Sequence, residues 1–464
     1  MREYELHLDK TLSNGLAPEL MPINSEFLFR CLGFRCGKGR LEAHRLLTNP
    51  LPPSLDIYYS WPFPQMVTGE RYNILVVRDS LIQHWDSVYL VSADHSTITH
   101  IFDIDELTFG LGSMVEIADF GNYLFMTNGV VMITYEPSLS VWFPFITSAI
   151  IPMMKTVCGL KSQAVGGGII SAWYDCDETY YAWSKIGNMD FTPEQDNEAG
   201  YRRDPYGGAI QNIRRLGDFA VGYSSKGVTA LHPTSEPAST IGFKELLDVG
   251  IINQGAVNGS LKGHIYLGED YILRSVTAEG VKELGFKHLM EQLAGEDIII
   301  SYDPPLKDFY IGNSIKTFLL SPHGMSEILQ HPSTVWRSDK VSYMLPETVE
   351  ESQPEIITEP IDMGYAGQKT LSVIETDVAV VTLPEAGVDY TFDNQVWTSA
   401  IHKPINDQGI ASVAIAGNAF RVGLRFTNIY DDTRVSYIKA RYKMTDMRGI
   451  RGVYAPPTSL RGQR

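Results

Sequence analysis

The sequence predicts an all-β protein in which a β-propeller of six or seven blades is followed by a small β-sandwich. Three observations support this fold class. The chain carries 40 Gly, 25 Pro and 24 Tyr with few long runs of helix formers, a composition typical of turn-rich β proteins. Hairpin patterns recur along its middle part, and the pattern changes after residue 362.

The clearest hairpin lies in the stretch from Tyr180 to Pro233. Residues 219–223 (FAVGY) form one predicted strand and residues 228–231 (VTAL) the return strand. Gly217 and Gly227 are expected to supply the positive φ angles that short turns need. A single hairpin cannot bury its own face, so this unit requires neighbours.

Similar units begin near residues 119, 165, 215, 261 and 297, about 36 to 50 residues apart. This spacing matches one four-stranded propeller blade. With strands near Tyr72 and from Thr334 to Met344, six or seven blades fit between residues 65 and 345. Alternation does not determine how sheets close, so a two-sheet sandwich or a solenoid remains an alternative. One helix is predicted within the repeat, from Ala278 to Leu293.

Composition shifts divide the chain into five predicted segments. These are an irregular N-terminal segment packing on the other domains (1–64), the propeller (65–345), an acidic proline-containing linker (346–362), the β-sandwich (363–450) and a basic C-terminal tail (451–464).

Two sets of residues are candidate assembly interfaces. Two late strands alternate apolar and basic residues, which predicts one basic face on the sandwich. The alternative is a solvated sheet face. The polar loop 192–208 exceeds the repeat and is predicted to make a second contact. The candidate residues are Arg421, Arg425, Lys439, Arg441 and Lys443 on the basic face, and Asp196, Arg202, Arg203 and Tyr206 in the loop.

The formal net charge of −17 argues against general binding to nucleic acid. The charged N-terminus predicts no secretory signal. The most apolar run, Val141 to Met154, contains two prolines and is too short for a membrane helix. The four cysteines lack metal spacing and are expected to be reduced, structural thiols.

No catalytic, metal-binding or cofactor-binding residues are predicted. The carboxylates Asp175, Asp177 and Glu178 cluster near one turn, but no calcium-loop spacing follows them. The Gly166-Gly167-Gly168 run lacks the lysine of a phosphate loop and indicates close backbone approach instead. The histidines show no metal spacing, and no nucleophile elbow is present. The chain is therefore not expected to be an enzyme.

Several motifs resemble the tail nozzle proteins of short-tailed bacteriophages, also called tail tubular or stabilisation proteins. They are AWSKIGNMDF and RRLGDFAVGYSSKGVTAL within about 165–285, and IDMGYAGQKTLSVIE and RVGLRFTNIYDDTRVSYIKARYKMTDMRGIRG within 361–453. The resemblance implies a propeller-based subunit in a ring of six that extends the DNA channel below the head-to-tail adaptor or portal ring. It implies contacts with tail fibres or a needle, passage of double-stranded DNA without specific binding, and no cofactor. The expected location is the virion tail, after assembly in the cytoplasm of the host bacterium.

Two other functions remain open from the residues. One is a propeller glycosidase or lyase acting on cell-surface polysaccharide, and the other is a receptor-binding or baseplate module. A ring with a central hole distinguishes the nozzle from both.

Overall fold

The chain forms two compact units in a computed structural model. Unit 1 comprises Met1–Arg45, Pro322–Ile328 and Glu351–Arg464, and unit 2 comprises Leu46–Ser321 and Leu329–Glu350. The structure describes residues 3–20, 23–45, 55–64, 71–79, 85–92, 98–105, 116–120, 123–127, 129, 132–136, 141–145, 150–194, 198–236, 239–330, 334–338, 341–345, 352–365, 367–378, 382–399 and 402–445. Strands dominate both units, which confirms the all-β class.

The N-terminal segment is not irregular, so that prediction was wrong. It contains β1 (Glu3–His7), α1 (Asp9–Asn14), β2 (Leu28–Leu32), β3 (Phe34–Gly37) and β4 (Arg40–Ala43), followed by the first strand of unit 2. These strands are short and separated by turns, which hides their alternation in the sequence. Strands β3 and β4 pair with each other, and the other partners of these strands lie beyond residue 320.

Unit 2 is a succession of small antiparallel sheets, each built from strands that follow one another in the chain. The strands of the first three sheets are β5 (Leu55–Pro64), β6 (Arg71–Asp79), β7 (Trp85–Ser92) and β8 (Ile98–Asp105); β9 (Glu116–Phe120), β10 (Tyr123–Thr127), β11 (Met132–Glu136) and β12 (Val141–Phe145); and β13 (Met154–Leu160), β14 (Gln163–Ile169), β15 (Tyr180–Trp183) and β16 (Gly200–Arg203).

The remaining sheets of unit 2 continue this arrangement. Their strands are β17 (Ile210–Leu216), β18 (Phe219–Ser224), β19 (Val228–Glu236) and β20 (Ser239–Leu247); β21 (Val257–Ser260), β22 (Gly263–Leu267), β23 (Leu273–Thr277) and β24 (Gly280–Gly285); β25 (Ile299–Asp303), β26 (Asp308–Gly312) and β27 (Thr317–Leu320); and the hairpin of β29 (Thr334–Ser338) and β30 (Val341–Leu345). Strand β28 (Met325–Ile328) belongs to unit 1.

From the second sheet onward, the first strands of successive sheets lie beside one another. Strand β13 contacts both β9 and β17, and β21 contacts both β17 and β25. Strand β29 then contacts β25 on one side and β5, the first strand of the first sheet, on the other. The last hairpin of unit 2 is therefore a neighbour of its first sheet.

A set of polar side chains, the polar seam (Glu116, Asn212, Arg214 and Gln254), joins these first strands. The Glu116 carboxylate is 1% exposed and accepts a hydrogen bond of 2.9 Å from Asn212 Nδ2. Arg214 Nη2 lies 3.4 Å from the same carboxylate oxygen, and Asn212 Nδ2 also donates to the Gln254 carbonyl at 3.0 Å. Burial raises the pKa of Glu116, while Arg214 and Asn212 oppose that shift.

The predicted helix from Ala278 to Leu293 is wrong in its first half. Residues 280–285 form β24, which pairs with β23, and helical structure is limited to α2 (Lys287–Met290) and a 3₁₀ turn (Glu291–Leu293). Gly280 at φ 129° and Gly285 at φ 88° break the helix and shape the hairpin instead. Among the described residues, no helix is long and apolar enough to cross a membrane.

The predicted hairpin of residues 219–223 and 228–231 is confirmed, because β18 and β19 follow the predicted strands closely. Gly217 adopts φ 61° as expected, but Gly227 does not have a positive φ. Gly227 is needed for space, since a Cβ there would lie 2.3 Å from the Tyr206 ring. The predicted close backbone approach at the glycine run is also confirmed: a Cβ on Gly168 would lie 2.8 Å from the Ile210 carbonyl oxygen.

Unit 1 is completed by the C-terminal strands. These are β31 (Glu355–Thr358), β32 (Lys369–Thr376), β33 (Pro384–Thr391), β34 (Thr398–Ser399), β35 (Lys403–Pro404), β36 (Ile410–Gly417), β37 (Ala419–Phe426), β38 (Arg434–Val435) and β39 (Ile438–Met444).

The described strands of unit 1 form three sheets. One has the order β1-β39-β32-β36, the second contains β28-β2-β31-β37-β33-β34 with β35 also on β33, and the third is β3-β4-β38. Strand β33 of the second sheet lies against β36 of the first. The rings of Phe34 and Phe426 meet in the core with centroids 5.0 Å apart. The predicted β domain therefore includes the N-terminal strands, and its basic tail 451–464 lies outside the described residues.

The structure of unit 1 also corrects the prediction that residues 346–362 form a linker. Its residues 355–358 form β31, which pairs with β2 and β37 in the middle of a sheet. Ile356 is fully buried, and the acidic Glu355 is tolerated in the sheet because Arg30 and Arg425 neutralise it.

Two glycines with nearly equal φ angles give a matched test of packing at the glycine run. Gly168 has φ +69°, and a Cβ there would lie 2.8 Å from the Ile210 carbonyl oxygen, whereas Gly187 has φ +71° and no atom within 4 Å. Both alanine substitutions destabilise the fold by about 1 kcal/mol, because alanine disfavours the left-handed backbone conformation. We expect Gly168→Ala to lower the free energy of unfolding by a further 1–3 kcal/mol, roughly the cost of overpacking, as measured by urea denaturation. Equal losses of unfolding free energy in the two variants would show that position 168 is not crowded.

A buried histidine makes unit 2 sensitive to acid. His264 on β22 is 2% exposed, and its ring nitrogens lie 2.9 Å from the Tyr223 hydroxyl and 3.0 Å from the Arg215 carbonyl. The lowered pKa of His264 keeps the ring neutral at pH 7; Nε2 then donates a hydrogen bond to the carbonyl, and Nδ1 accepts one from the Tyr223 hydroxyl. Burial lowers the pKa of His264 from 6.5 to about 4.

The sign of the resulting pH dependence follows from this shift. Between pH 6.5 and about 4 the proton binds the unfolded chain but not the folded one, so stability falls as the pH falls. We expect the titration of His264 to lower the free energy of unfolding by about 2 kcal/mol between pH 7 and pH 5. His264→Gln, which cannot titrate, should lose correspondingly less stability over that interval in parallel urea titrations. An unchanged pH dependence in this variant would show that His264 is not responsible.

Candidate assembly surface

The basic residues of β39 face acidic residues of their own chain. Lys439 Nζ lies 3.0 Å from a carboxylate oxygen of Glu5, and Arg441 lies 3.5 Å from the same oxygen. Arg441 also donates to Glu375 at 2.8 Å, and Lys443 Nζ lies 3.9 Å from Glu3. The antiparallel register explains these pairs, since Glu3 is opposite Lys443 and Glu5 opposite Arg441. Strand β39 is thus held between acidic residues of β1 and β32.

The other two residues of the predicted basic face lie on a different sheet. Arg421 and Arg425 belong to β37, in the sheet that contains β31 and β33. Arg425 lies 3.3 Å from Glu355, which also pairs with Arg30 at 2.7 Å. The five basic residues therefore do not share one sheet face, and four of them already have carboxylate partners.

Arg421 differs from the other four because it stacks between aromatic rings. Its guanidinium carbon lies 4.0 Å from the centroid of the Phe29 ring and 4.4 Å from that of Trp397. Burial lowers its pKa, while the carboxylates of Glu359 and Asp389 oppose this shift. Asp389 lies directly opposite Arg421 in the register of β33 and β37.

The predicted contact loop is partly a strand. Residues 200–203 form β16 at the edge of its sheet, and Asp196 lies outside the described residues. Arg202 lies over the Phe243 ring at 5.0 Å, and Arg203 Nε donates to Thr179 Oγ1 at 3.1 Å. Tyr206 packs over Gly227, and burial raises the pKa of its hydroxyl. Arg202 and Arg203 remain exposed, whereas Tyr206 has a packing role.

The carboxylate cluster near residue 175 follows a tight turn. Tyr174 and Asp175 both adopt left-handed φ angles of 47° and 57°, and Cys176 N donates to the Trp173 carbonyl. Asp177 accepts hydrogen bonds from the backbone N and the hydroxyl of Thr179, which lower its pKa. Within the described part of the chain, no group of His, Cys, Asp and Glu side chains could hold a metal ion. The four cysteines are free and buried, as predicted.

The acidic partners of β39 were missed by sequence reasoning. The N-terminal stretch EYELH alternates acidic with apolar residues, which is the strand pattern complementary to the basic alternation of IKARYKM. Comparing the two patterns would have suggested this cross-strand pairing.

Comparison with known proteins adds no relative, since no protein-family model and no curated protein sequence matches the chain.

The ion pairs of Glu5 help to hold β1 against β39. The hydrogen bond from Lys439 lowers the pKa of Glu5 below its ordinary value of 4.5. This contribution to docking is present above pH 4.5 and is lost as the pH falls through the lowered pKa. We expect Glu5→Gln to speed amide exchange in residues 3–7 by about twofold to fivefold at pH 7, and to remove that acid dependence. The measurement is hydrogen exchange with mass spectrometry.

Glu19→Gln, at an exposed position outside β1, is the matched control and should leave exchange in β1 unchanged. Equal exchange in Glu5→Gln and the unsubstituted chain would show that the carboxylate does not hold the strand.

Proposed function

We propose that the chain is a structural virion protein, the subunit of a bacteriophage tail nozzle. In this proposal unit 2 is a β-propeller, and copies of the chain form a ring of about six that continues the DNA channel below the head-to-tail adaptor. The ring guides the genome, helps retain it until ejection, and carries fibres or a needle in the virion tail. It has no enzymatic activity.

The observation that carries the proposal is the order of the sheets in unit 2. Small antiparallel sheets follow one another in the chain, the first strands of the second and later sheets are neighbours in succession, and β29 lies beside β5. A propeller accounts for this arrangement because radial repetition places the first strand of each blade next to that of the following blade. A two-sheet sandwich or a solenoid provides no reason for the last hairpin to lie beside the first sheet.

Charge supports the role as a conduit. The net charge of −17 disfavours adhesion to the phosphates of passing DNA. The ion pairs of β39 strengthen this argument, because Lys439, Arg441 and Lys443 are engaged by carboxylates within the chain and offer less free positive charge to DNA.

Of the candidate interface residues named from the sequence, those on the exposed edge strand β16 are the favoured subunit contact. Arg202 and Arg203 are exposed on it, whereas the cations of β39 are already paired with carboxylates of unit 1. Copies of the chain would use this edge of the sheet for contacts around the ring.

The proposal predicts a hollow oligomer. We expect the purified chain to elute as a multiple of its 51.8 kDa mass, with rings or short tubes around a central hole in negative-stain images. The same material should not retain duplex DNA at an ionic strength of about 0.15 M. A monomer that cleaves bacterial polysaccharide would instead support the glycosidase or lyase alternative. A monomer that binds a cell surface without cleavage would support a receptor-binding module.

A further inference from the structure

One end of unit 2 carries exposed cations on four neighbouring hairpins. In the third to sixth sheets, a short turn joins the first strand to the second. Each of these hairpins has an exposed cation in its turn or next to it. The four residues, called the cation row below, are Lys161 after β13, Arg215 near the end of β17, Lys262 after β21 and Lys307 after β25.

The first strands β17 and β21 run in the same direction, so their turns lie at the same end. Asn212 on β17 donates to the Gln254 carbonyl, just before β21. Further along both strands, a Cβ on Gly217 would lie 3.8 Å from the Leu261 carbonyl oxygen, so the two turns are in contact. Since these contacts advance together along the sequence, the two strands are parallel.

Strands β21 and β25 are related in the same way. Asn253 Nδ2 donates to the Ile298 carbonyl at 3.0 Å, just before the two strands begin. Within the strands, Asn258 Nδ2 donates to the Ile300 carbonyl at 2.9 Å. The turns that carry Lys262 and Lys307 therefore also lie at the same end.

The turn after β13 completes the row. The Lys155 ammonium donates to the side-chain carbonyl of Gln211, and one step further along Ile213 N donates to Thr156 Oγ1 at 3.0 Å. Strands β13 and β17 are thus parallel as well. Sheets packed face to face lie about 10 Å apart, so four successive turns extend over roughly 30 Å.

The cation row has little acidic charge beside it. In the described part of the chain none of its members has a carboxylate at ion-pair distance, and Arg215 Nε donates to the Gly217 carbonyl. Asp218 is exposed next to the second turn. Asp303 and Asp308, at the base of the fourth turn, are buried and engaged within the chain. Glu279 is on the turn between the third and fourth strands of its sheet, further from the row.

Turn chemistry does not explain two of the lysines. Lys161 and Lys307 adopt left-handed φ angles of 53° and 58°, and Gly217 has φ 61° in the second turn. This conformation favours glycine and asparagine over residues with long side chains. A lysine there is disfavoured by the backbone, which indicates that its surface charge has a role.

Exposed leucines next to the lysines indicate the kind of partner. Leu261 is 56% exposed and Leu306 is 45% exposed, each directly before a lysine of the row. Duplex DNA offers phosphates but no apolar groups that would cover these leucines, and the net charge of −17 repels it. An acidic protein segment offers both carboxylates and apolar side chains, so it complements the row better.

We propose that the cation row binds an extended acidic segment of a protein partner. A chain in the polyproline II conformation repeats its side-chain direction every three residues, about 9 Å, which is close to the spacing of the turns. Carboxylates at every third residue then meet successive cations, and apolar residues between them cover Leu261 and Leu306. This proposal concerns unit 2 alone and does not rest on ring formation or on the nozzle function.

Two peptides of equal composition test the spacing with the full-length chain. The spaced peptide is Glu-Leu-Pro-Glu-Leu-Pro-Glu-Leu-Pro-Glu, and the clustered peptide is Glu-Glu-Glu-Glu-Leu-Pro-Leu-Pro-Leu-Pro, both with an N-terminal fluorescein and a C-terminal amide. Binding is measured by fluorescence anisotropy at an ionic strength of about 0.05 M. We expect the spaced peptide to bind with a Kd below about 1 mM, at least roughly fivefold more tightly than the clustered one, and to weaken as salt is added.

Matched triple variants distinguish the row from general charge. Lys161→Gln, Lys262→Gln and Lys307→Gln together should weaken binding of the spaced peptide about tenfold. The control combines Lys226→Gln, Lys244→Gln and Lys282→Gln, which remove the same charge from exposed positions of unit 2 outside the row, and it should bind like the unsubstituted chain. A circular dichroism spectrum like that of the unsubstituted chain confirms the folding of each variant.

Several results would overturn the proposal. They are no binding of the spaced peptide at about 1 mM, equal binding of the two peptides, unchanged affinity in the row variant, and an equal loss of affinity in the control variant. A DNA duplex of about 12 base pairs is long enough to span the row. Tighter binding of this duplex than of the spaced peptide at the same salt concentration would assign the row to nucleic acid instead.

Discussion

The buried carboxylate of Glu116 is the constraint on which the arrangement of unit 2 depends. It lies on the first strand of one sheet and is bound by Asn212 and Arg214 from the first strand of another. Removing a carboxylate from water costs on the order of several kcal/mol. A buried carboxylate is therefore tolerated only where its partners are placed correctly. A displacement of either strand would leave that charge unpaired. The polar seam therefore favours one relative position of the sheets, which apolar contacts would specify less strictly.

Unit 1 depends on a comparable match of charges, placed nearer the surface. Strand β39 carries three cations on alternating positions, and the acids of β1 and β32 lie opposite them. Each exposed pair contributes little to stability, but the complete alternation favours this register over one shifted by a residue. A second consequence is electrostatic. The cations are engaged inside the unit, so these strands present less free positive charge than their sequence suggests.

The prediction of individual elements succeeded where the signal was local. The strands around Gly217 and the backbone approach at Gly168 follow from β-branched residues, aromatic residues and glycine in a short stretch. Prediction failed where a distant partner decided the outcome. The acidic segment 346–362 was interpreted as a linker because its carboxylates could not be seen to meet Arg30 and Arg425. The helix from Ala278 was predicted from apolar spacing, although two glycines favoured a hairpin. Arg421 was identified as one of five equivalent cations, and only its aromatic neighbours distinguish it.

The sequence by itself determined the all-β class, the succession of hairpins and the free, buried cysteines. These properties depend on residue preferences and on alternation within a few residues. Tertiary structure decided which strands share a sheet, that the N-terminal strands complete the C-terminal unit, and which charges pair with one another. The physical reason is that hydrogen bonds and ion pairs in sheets join residues hundreds of positions apart, as Glu3 and Lys443 show. The residue pattern of one stretch indicates which kinds of strand it can pair with. Only the folded chain determines which strand becomes its partner.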